Sequence, residues 1–226
     1  MKKILPLLLL ILIGCSEPEM INGDFLKWGG DGFYHKNTGK IFTGNVYELK
    51  SEDNYLGYNI YERGFIKNGR QEGTFTSIYR DPTLREGNIG YLERDFKDGE
   101  LQFERGYYHS RELYYQFEFK YGKKDGLFNR YSRSGETLQQ THYKNGRQEG
   151  LEKHYYENGE LKYEWTYKYD KLNGPSKNYY DNGQLQSEWT YKDGKLDGPY
   201  KGYYDNGQLK YEGTYKDGKL IDSKEY

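Results

Sequence analysis

The chain contains no alanine. Alanine is the strongest helix former and helical domains lean on it, so its absence speaks against an α-helical fold. There is one cysteine in 226 residues, which excludes internal disulfides and any site with several thiolate ligands. No charge sign dominates: 34 Lys and Arg face 35 Asp and Glu, a net charge of −1. A main role on nucleic acid usually needs a basic excess, so no nucleic-acid partner is expected. Aliphatic residues are scarce. Beyond Cys15, 16 Leu, 7 Ile, 1 Val and 10 Phe make 34 of 211 residues, below the ~20% level associated with disorder. Disorder, however, normally comes with few aromatics and a high net charge. Here 28 Tyr accompany balanced charges, so the chain is expected to fold with tyrosine standing in for an aliphatic core. Tyrosine together with 29 Gly suits strands and tight turns.

Met1-Lys2-Lys3 is a basic start, and Ile4 to Ile13 is an unbroken apolar run. Ten apolar residues are too few to span a bilayer as a helix but suit the core of a secretory signal peptide. An uncleaved anchor or a buried N-terminal helix is the alternative. The ending Leu12-Ile13-Gly14-Cys15 resembles the lipobox of bacterial lipoproteins. That resemblance implies that residues 1–14 are a signal peptide and that Cys15 is the lipid attachment site, acylated on its sulfur and new amino group. Two or more acyl chains anchor stably where one binds only marginally. Ser16 lacks the Asp that resembles an inner-membrane retention signal, so the expected home is the cell envelope, and the outer membrane where there are two. Cleavage would remove Lys2 and Lys3, leaving 32 basic and 35 acidic residues and a charge of −3. Residues 15–24 read as the lipidated cysteine and a polar tether.

Internal repetition organises everything else. Residues 155–174 read YYENGELKYEWTYKYDKLNG, 179–198 read YYDNGQLQSEWTYKDGKLDG, and 203–220 read YYDNGQLKYEGTYKDGKL. Gly135, Gly159, Gly183 and Gly207 are 24 apart. One unit earlier Arg111 takes the glycine position. Upstream the period loosens, although KNGRQEG occurs at both 67–73 and 144–150, and 51–60 and 80–90 read as insertions. The chain divides into degenerate repeats over 25–106 and regular ones over 107–226. Asn206-Gly207 and Asp217-Gly218 are read as two-residue type I′ hairpin turns, so each repeat is two antiparallel strands.

Alternation assigns the faces. Leu185, Ser187, Trp189, Tyr191, Leu196, Gly198, Tyr200, Gly202, Tyr204, Leu209, Tyr211, Gly213 and Tyr215 fall on one. Polar residues fall on the other, with Tyr203 its one aromatic. This register sets Trp189 opposite Gly198, Tyr211 opposite Gly202 and Tyr200 opposite Gly213, each ring filling the space a cross-strand glycine leaves. The expected fold is all-β: an elongated single-layer antiparallel meander of repeated hairpins, some 14 to 16 strands by motif count.

The Tyr-Tyr, Asn-Gly, Leu, Tyr, Asp-Gly and Gly at fixed offsets resemble the MORN-repeat family, and its bacterial variant most closely. The match is close over 155–220, fair over 107–150 and poor before. The family fold is a row of hairpins in one elongated, curved sheet. Bacterial members are often grouped as YwqK-type antitoxin components of toxin–antitoxin pairs, and the resemblance extends that label here. An exported, anchored protein would meet a toxin on the far side of the membrane, which favours an immunity or envelope-binding role.

No catalytic constellation stands out, and no enzyme activity, metal or cofactor is expected. His142 and His154 are twelve apart, half a repeat, but no third ligand or carboxylate partner is implied, so both read as solvated strand histidines. Asp193 and Asp197 lack the later Glu of a calcium loop and read as turn residues. What remains is the aromatic face. The candidate partner-binding residues are Tyr156, Tyr163, Trp165, Tyr167, Tyr180, Trp189, Tyr191, Tyr200, Tyr204, Tyr211 and Tyr215. Exposed aromatic patches mark interaction sites, and Tyr and Trp are favoured anchors. A protein partner, a toxin or an envelope protein, is the first expectation. A cell-wall glycan is the alternative. Phospholipid is third, because a neutral polar face attracts anionic lipid only weakly.

Overall fold

The computed structural model describes residues 20–22, 26–28, 33–38, 40–41, 43–50, 61–78, 89–108 and 110–226. The signal-peptide segment 1–14, Cys15, most of the tether, the insertion 51–60 and most of 80–90 lie outside the described residues. All regular structure among those described is strand. The strands are β1 (Met20–Asn22), β2 (Leu26–Trp28), β3 (Phe33–His35), β4 (Gly44–Lys50), β5 (Tyr61–Lys67), β6 (Arg70–Ile78), β7 (Ile89–Lys97), β8 (Glu100–Tyr108), β9 (Leu113–Lys120), β10 (Lys123–Lys124) and β11 (Gly126–Tyr131). The regular repeats continue with β12 (Thr137–Lys144), β13 (Arg147–Tyr155), β14 (Leu161–Lys168), β15 (Lys171–Tyr179), β16 (Leu185–Lys192), β17 (Lys195–Tyr203), β18 (Leu209–Lys216) and β19 (Lys219–Glu225).

From β4 onward the strands pair antiparallel in chain order, each with the next. The short β10 and β11 both pair with β9 as two pieces of one strand. This is the expected hairpin meander. Two features extend it: β1 joins β4 in parallel, and β2 and β3 form a separate two-stranded ribbon.

The turns alternate between two kinds. Asp193-Gly194 and Asp217-Gly218 have both residues at positive φ (50° and 83°, 48° and 82°), as type I′ requires. Tyr169-Asp170 keeps the same turn without glycine, at 50° and 63°. The Asn-Gly turns differ from the type I′ reading. Only the glycine, Gly207 at 82°, is left-handed. Tyr204 N donates to Gln208 O at 2.9 Å and Gly207 N to Tyr204 O at 2.9 Å. That is a three-residue loop, a type I turn closed by a left-handed glycine.

Two irregularities per repeat correct the even alternation. Trp189 pairs with Tyr200, not with Gly198. The two extra residues are absorbed by a bulge at Gly198 (φ 132°), where an added Cβ would stand 2.9 Å from Thr190 Cβ. A shift of two preserves the facing of side chains, so the rings stay together. At the other end Gly202 pairs with Tyr211 but Tyr203 with Leu209. This one-residue bulge sets Leu209 across from a tyrosine of the opposite face. The other two ring-over-glycine pairs hold. Tyr211 lies where a Cβ at Gly202 would be, and Tyr200 crowds Gly213 in the same way.

The aliphatic core sits at the N-terminal end. Leu26, Val46, Ile66 and Phe75 form one buried cluster with Phe96 packed against it. Leu26 belongs to the separate ribbon, so at this end the sheet is not a bare single layer.

Candidate functional site

The pairings lay out the ring face of the regular repeats as two rows running across strands β11 to β18. One reads Phe128, Thr141, Glu152, Trp165, Ser176, Trp189, Tyr200, Gly213; the other reads Arg130, Gln139, His154, Tyr163, Asn178, Ser187, Gly202, Tyr211. The opposite face carries a ladder of a different character: Gln140, Lys153, Glu164, Lys177, Glu188, Lys201, Glu212 and Lys224 stand in consecutive cross-strand pairs. Lys153 Nζ lies 3.6 Å from Glu164, and the Tyr203 hydroxyl donates to Glu188 at 3.1 Å.

The two faces obey different rules within one chain. On the ladder face the residue type recurs every 24 positions: Glu164, Glu188, Glu212; Lys153, Lys177, Lys201; Tyr155, Tyr179, Tyr203. In the two ring-face rows most of the corresponding positions change between repeats (Thr141, Trp165, Trp189, Gly213; Glu152, Ser176, Tyr200; His154, Asn178, Gly202), although Trp165 and Trp189 repeat and the next row keeps Tyr143, Tyr167, Tyr191 and Tyr215. Turns and ladder give every unit the same frame, while the two ring-face rows are particular to each unit.

The predicted site residues divide accordingly. Trp189 stacks on Tyr200 (5.0 Å between centroids, 8°), and Tyr215 meets Tyr200 edge-on at 5.1 Å. Tyr211 is tilted against Tyr200 at 5.7 Å. Tyr163 stacks on Trp165 at 4.2 Å. Tyr191 and Tyr167 stand in the next row, paired with Leu196 and Leu172. These rings share one face, and most remain half-buried. Tyr156, Tyr180 and Tyr204 do not join them. They begin the three-residue loops, and the hydroxyls of Tyr156 and Tyr180 donate to the carbonyls of Tyr179 and Tyr203, one repeat on (2.8 and 2.9 Å). Tyr156 and Tyr180 thus tie each loop to the next repeat. Cys15 lies outside the described residues.

Beside the Tyr163–Trp165 pair, on the two strands that precede it, lies a polar centre that the sequence reading missed. The Glu152 carboxylate is largely buried. It accepts from Gln139 Nε2 (3.1 Å), Gln148 Nε2 (3.1 Å) and His154 Nε2 (2.8 Å), and from the Tyr167 hydroxyl. Burial alone would raise its pKa, but the hydrogen bond and charge of His154, with the bonds from Gln148 and Tyr167, outweigh that and hold it below the usual range. His154 thus has the carboxylate partner it was expected to lack, and its ring stacks on Tyr163 at 4.2 Å. His142 points to the other face, its Nδ1 3.0 Å from Leu151 O. The chain of polar groups extends from Arg130 Nε to Gln139 Oε1 (3.2 Å). On the far side Trp165 Nε1 donates to Asn178 (3.2 Å), which donates to Ser187 (3.1 Å). A signal for this centre exists in the sequence: Glu152 and His154 stand where the next units have Ser176 and Asn178, then Tyr200 and Gly202, while Lys153 between them recurs as Lys177 and Lys201. Among the described residues no group of three or more His, Cys, Asp or Glu is placed to hold a metal ion.

Three units match a known repeat. Residues 148–169, 172–193 and 196–217 match the MORN repeat variant. Each covers a ladder-and-ring pair of strands, β13–β14, β15–β16 and β17–β18. No curated protein matches the chain.

Proposed function

We propose that this protein is a non-enzymatic binding protein, exported and lipid-anchored through Cys15 in the cell envelope, that holds a protein partner against its ring face. The observation that carries the reading is the contrast between faces. The ladder face repeats, whereas the two ring-face rows change at most of their positions from one MORN-variant unit to the next. A surface that only closed a core would have no reason to vary so selectively, and stacked Tyr and Trp are favoured interface anchors. A toxin met outside the cytoplasm is one such partner, which would make the protein an immunity or antitoxin component of a toxin–antitoxin pair. The test is affinity capture from the native envelope with wild type and with Trp165→Ala, Trp189→Ala and Tyr211→Ala. Each variant should stay folded and retain less partner. Three folded variants that capture every partner as well as wild type would remove the ring face from consideration. Cys15→Ser should release the protein from membranes.

A second reading, an envelope glycan, draws on the polar centre. Planar side chains such as Gln139, His154 and Asn178 interleaved with rings can bond hydroxyls while the rings cover apolar patches. Pelleting with purified peptidoglycan separates the two.

A further inference from the structure

Three units bury different residues at one position of the ring face. Glu152, Ser176 and Tyr200 stand 24 apart and are 8%, 3% and 8% exposed. The Glu152 carboxylate is met by Gln139, Gln148, His154 and Tyr167, and Tyr200 stacks against Trp189. Ser176 has no such provision. Its Oγ is the one buried side-chain polar atom among the described residues without a hydrogen-bond partner. A buried hydroxyl left unpaired is costly, and alanine would fill the same place without that cost.

The neighbours of this hydroxyl are aromatic and neutral. Ser176 pairs with Trp165 on one adjoining strand and with Trp189 on the other. Two residues along β15, Asn178 accepts from Trp165 Nε1 at 3.2 Å and donates to Ser187 at 3.1 Å. No charged side chain enters this stretch of the two rows, because Glu164, Lys177 and Glu188 lie on the ladder face. A charged group docked between the indoles would lose its water without gaining a counter-charge. A neutral sugar ring avoids that loss. Its C–H faces suit the indoles, and its hydroxyls can both donate and accept.

We propose that the strip between Trp165 and Trp189 is a subsite for one neutral sugar residue, whose ring lies against the indoles and whose hydroxyl supplies the partner that Ser176 lacks. Ser176 is enclosed in the free protein, so the sugar reaches it by parting the indoles, and the Trp165–Asn178 bond is the one that opens. This rests on the glycan reading of the ring face and names the unit that the face recognises.

The probe is the N-acetylglucosamine trimer, titrated into the isotope-labelled full chain and followed by NMR. The Trp165 indole N–H and the amides of Ser176 and Asn178 should shift saturably at millimolar sugar. Ser176→Ala should weaken this binding about fivefold or more. The same variant should melt at the wild-type temperature or above it, because it removes an unpaired hydroxyl. A galacturonic acid trimer, which is charged, should shift these signals far less. No shift at these signals would overturn the proposal, as would a Ser176→Ala variant that binds the trimer as well as wild type does. A lower melting temperature for Ser176→Ala would also overturn it, by showing that the hydroxyl serves the fold through a buried water. Equal shifts from the charged trimer would remove the neutral sugar from the slot. Peptidoglycan pelleting by wild type and Ser176→Ala alike, with the Trp165 signal unmoved by sugar, would leave the glycan reading standing and remove this subsite.

Discussion

The two ends of the sheet solve one problem in opposite ways. Each unit must shield the flank that the ladder face does not use. At the N-terminal end the shield is aliphatic and comes from a second layer: Leu26 closes over Val46, Ile66 and Phe75. At the C-terminal end the rings shield one another. Trp189, Tyr200, Tyr211 and Tyr215 pack into a cluster in which only Tyr200, at 8% exposure, is buried. A buried ring is thus a closed core residue in Phe75 and a surface anchor's support in Tyr200. A covered face gives stability, and an uncovered one leaves rings available.

The sharpest way to break that comparison is to truncate both residues. Phe75→Ala opens a cavity under a fixed lid and should cost about 3–5 kcal/mol. Tyr200→Ala should cost less, about 2 kcal/mol, because Trp189 and Tyr215 can close over the gap. Urea unfolding measures both, and because repeat arrays need not unfold as one unit, Phe75→Ala should melt the N-terminal end first. Equal costs would mean that the C-terminal rings are as much a core as the aliphatic cluster.

Glycine substitutions sharpen the same point at smaller scale. A Cβ at Gly64 would stand 2.5 Å from Phe75 Cγ, and one at Gly202 would fall within the Tyr211 ring. Phe75 is fully buried and cannot yield, whereas Tyr211 is half-buried and can swing outward. Both Gly→Ala changes overpack, at about 1–3 kcal/mol, with Gly64→Ala at the upper end. Thermal melts of the two variants decide the order.

Much of this was legible before any coordinates. Alternation put Trp189, Tyr200, Tyr211 and Tyr215 on one face, and the Asp-Gly turns are of the type read from sequence. What alternation could not see were the bulges. Gly198 looks like any other strand residue in a period-two count, yet its positive φ takes up two residues and moves Trp189 from Gly198 to Tyr200. The Asn-Gly loop likewise hides its third residue. Asn206 and Gly207 between Asp205 and Gln208 fit a two-residue turn on paper, and only the bond from Tyr204 N to Gln208 O shows otherwise. The polar centre was hidden for another reason. His154 read as a solvated strand histidine until the pairings place it in line with Tyr163, with Glu152 in line with Trp165. The N-terminal ribbon was not legible at all, because β2 and β3 carry no copy of the repeat.

Alkaline pH separates the two ends without mutation. Burial raises the pKa of Tyr163, Tyr179, Tyr191 and Tyr211, and of Tyr167 together with the charge of Glu152. A folded-state value above the unfolded one, about 10, means a contribution fully present below that pH and lost as pH rises through the folded value. The aliphatic cluster carries no such groups. Above pH ~10 the regular repeats should therefore loosen while Leu26, Val46, Ile66 and Phe75 stay packed. With Trp28 of β2 replaced by Phe, Trp165 and Trp189 report one end by fluorescence, and amide exchange of β5 and β6 reports the other. Simultaneous loss would show that the two ends form one cooperative unit.

The smallest expected effect lies at the seam between the two regions. Arg111 occupies the loop position that Gly135, Gly159, Gly183 and Gly207 hold in later units, and it adopts the same left-handed backbone, φ 80° against 81–88° for the glycines. The left-handed region costs a residue with a Cβ roughly 1–2 kcal/mol, and glycine returns part of that as unfolded-chain entropy. Arg111 is exposed, and its backbone N donates to Tyr108 O at 2.9 Å, a bond glycine keeps. Arg111→Gly should therefore raise stability by about 0.5–1 kcal/mol. The gain should appear at the junction of β8 and β9, as slower amide exchange at Tyr108 and Leu113, with the exchange of β16 to β18 unchanged. A gain spread evenly over the sheet would mean that the ends communicate through this seam, and no gain would mean that the Arg111 side chain contributes as much to the loop as the strain removes.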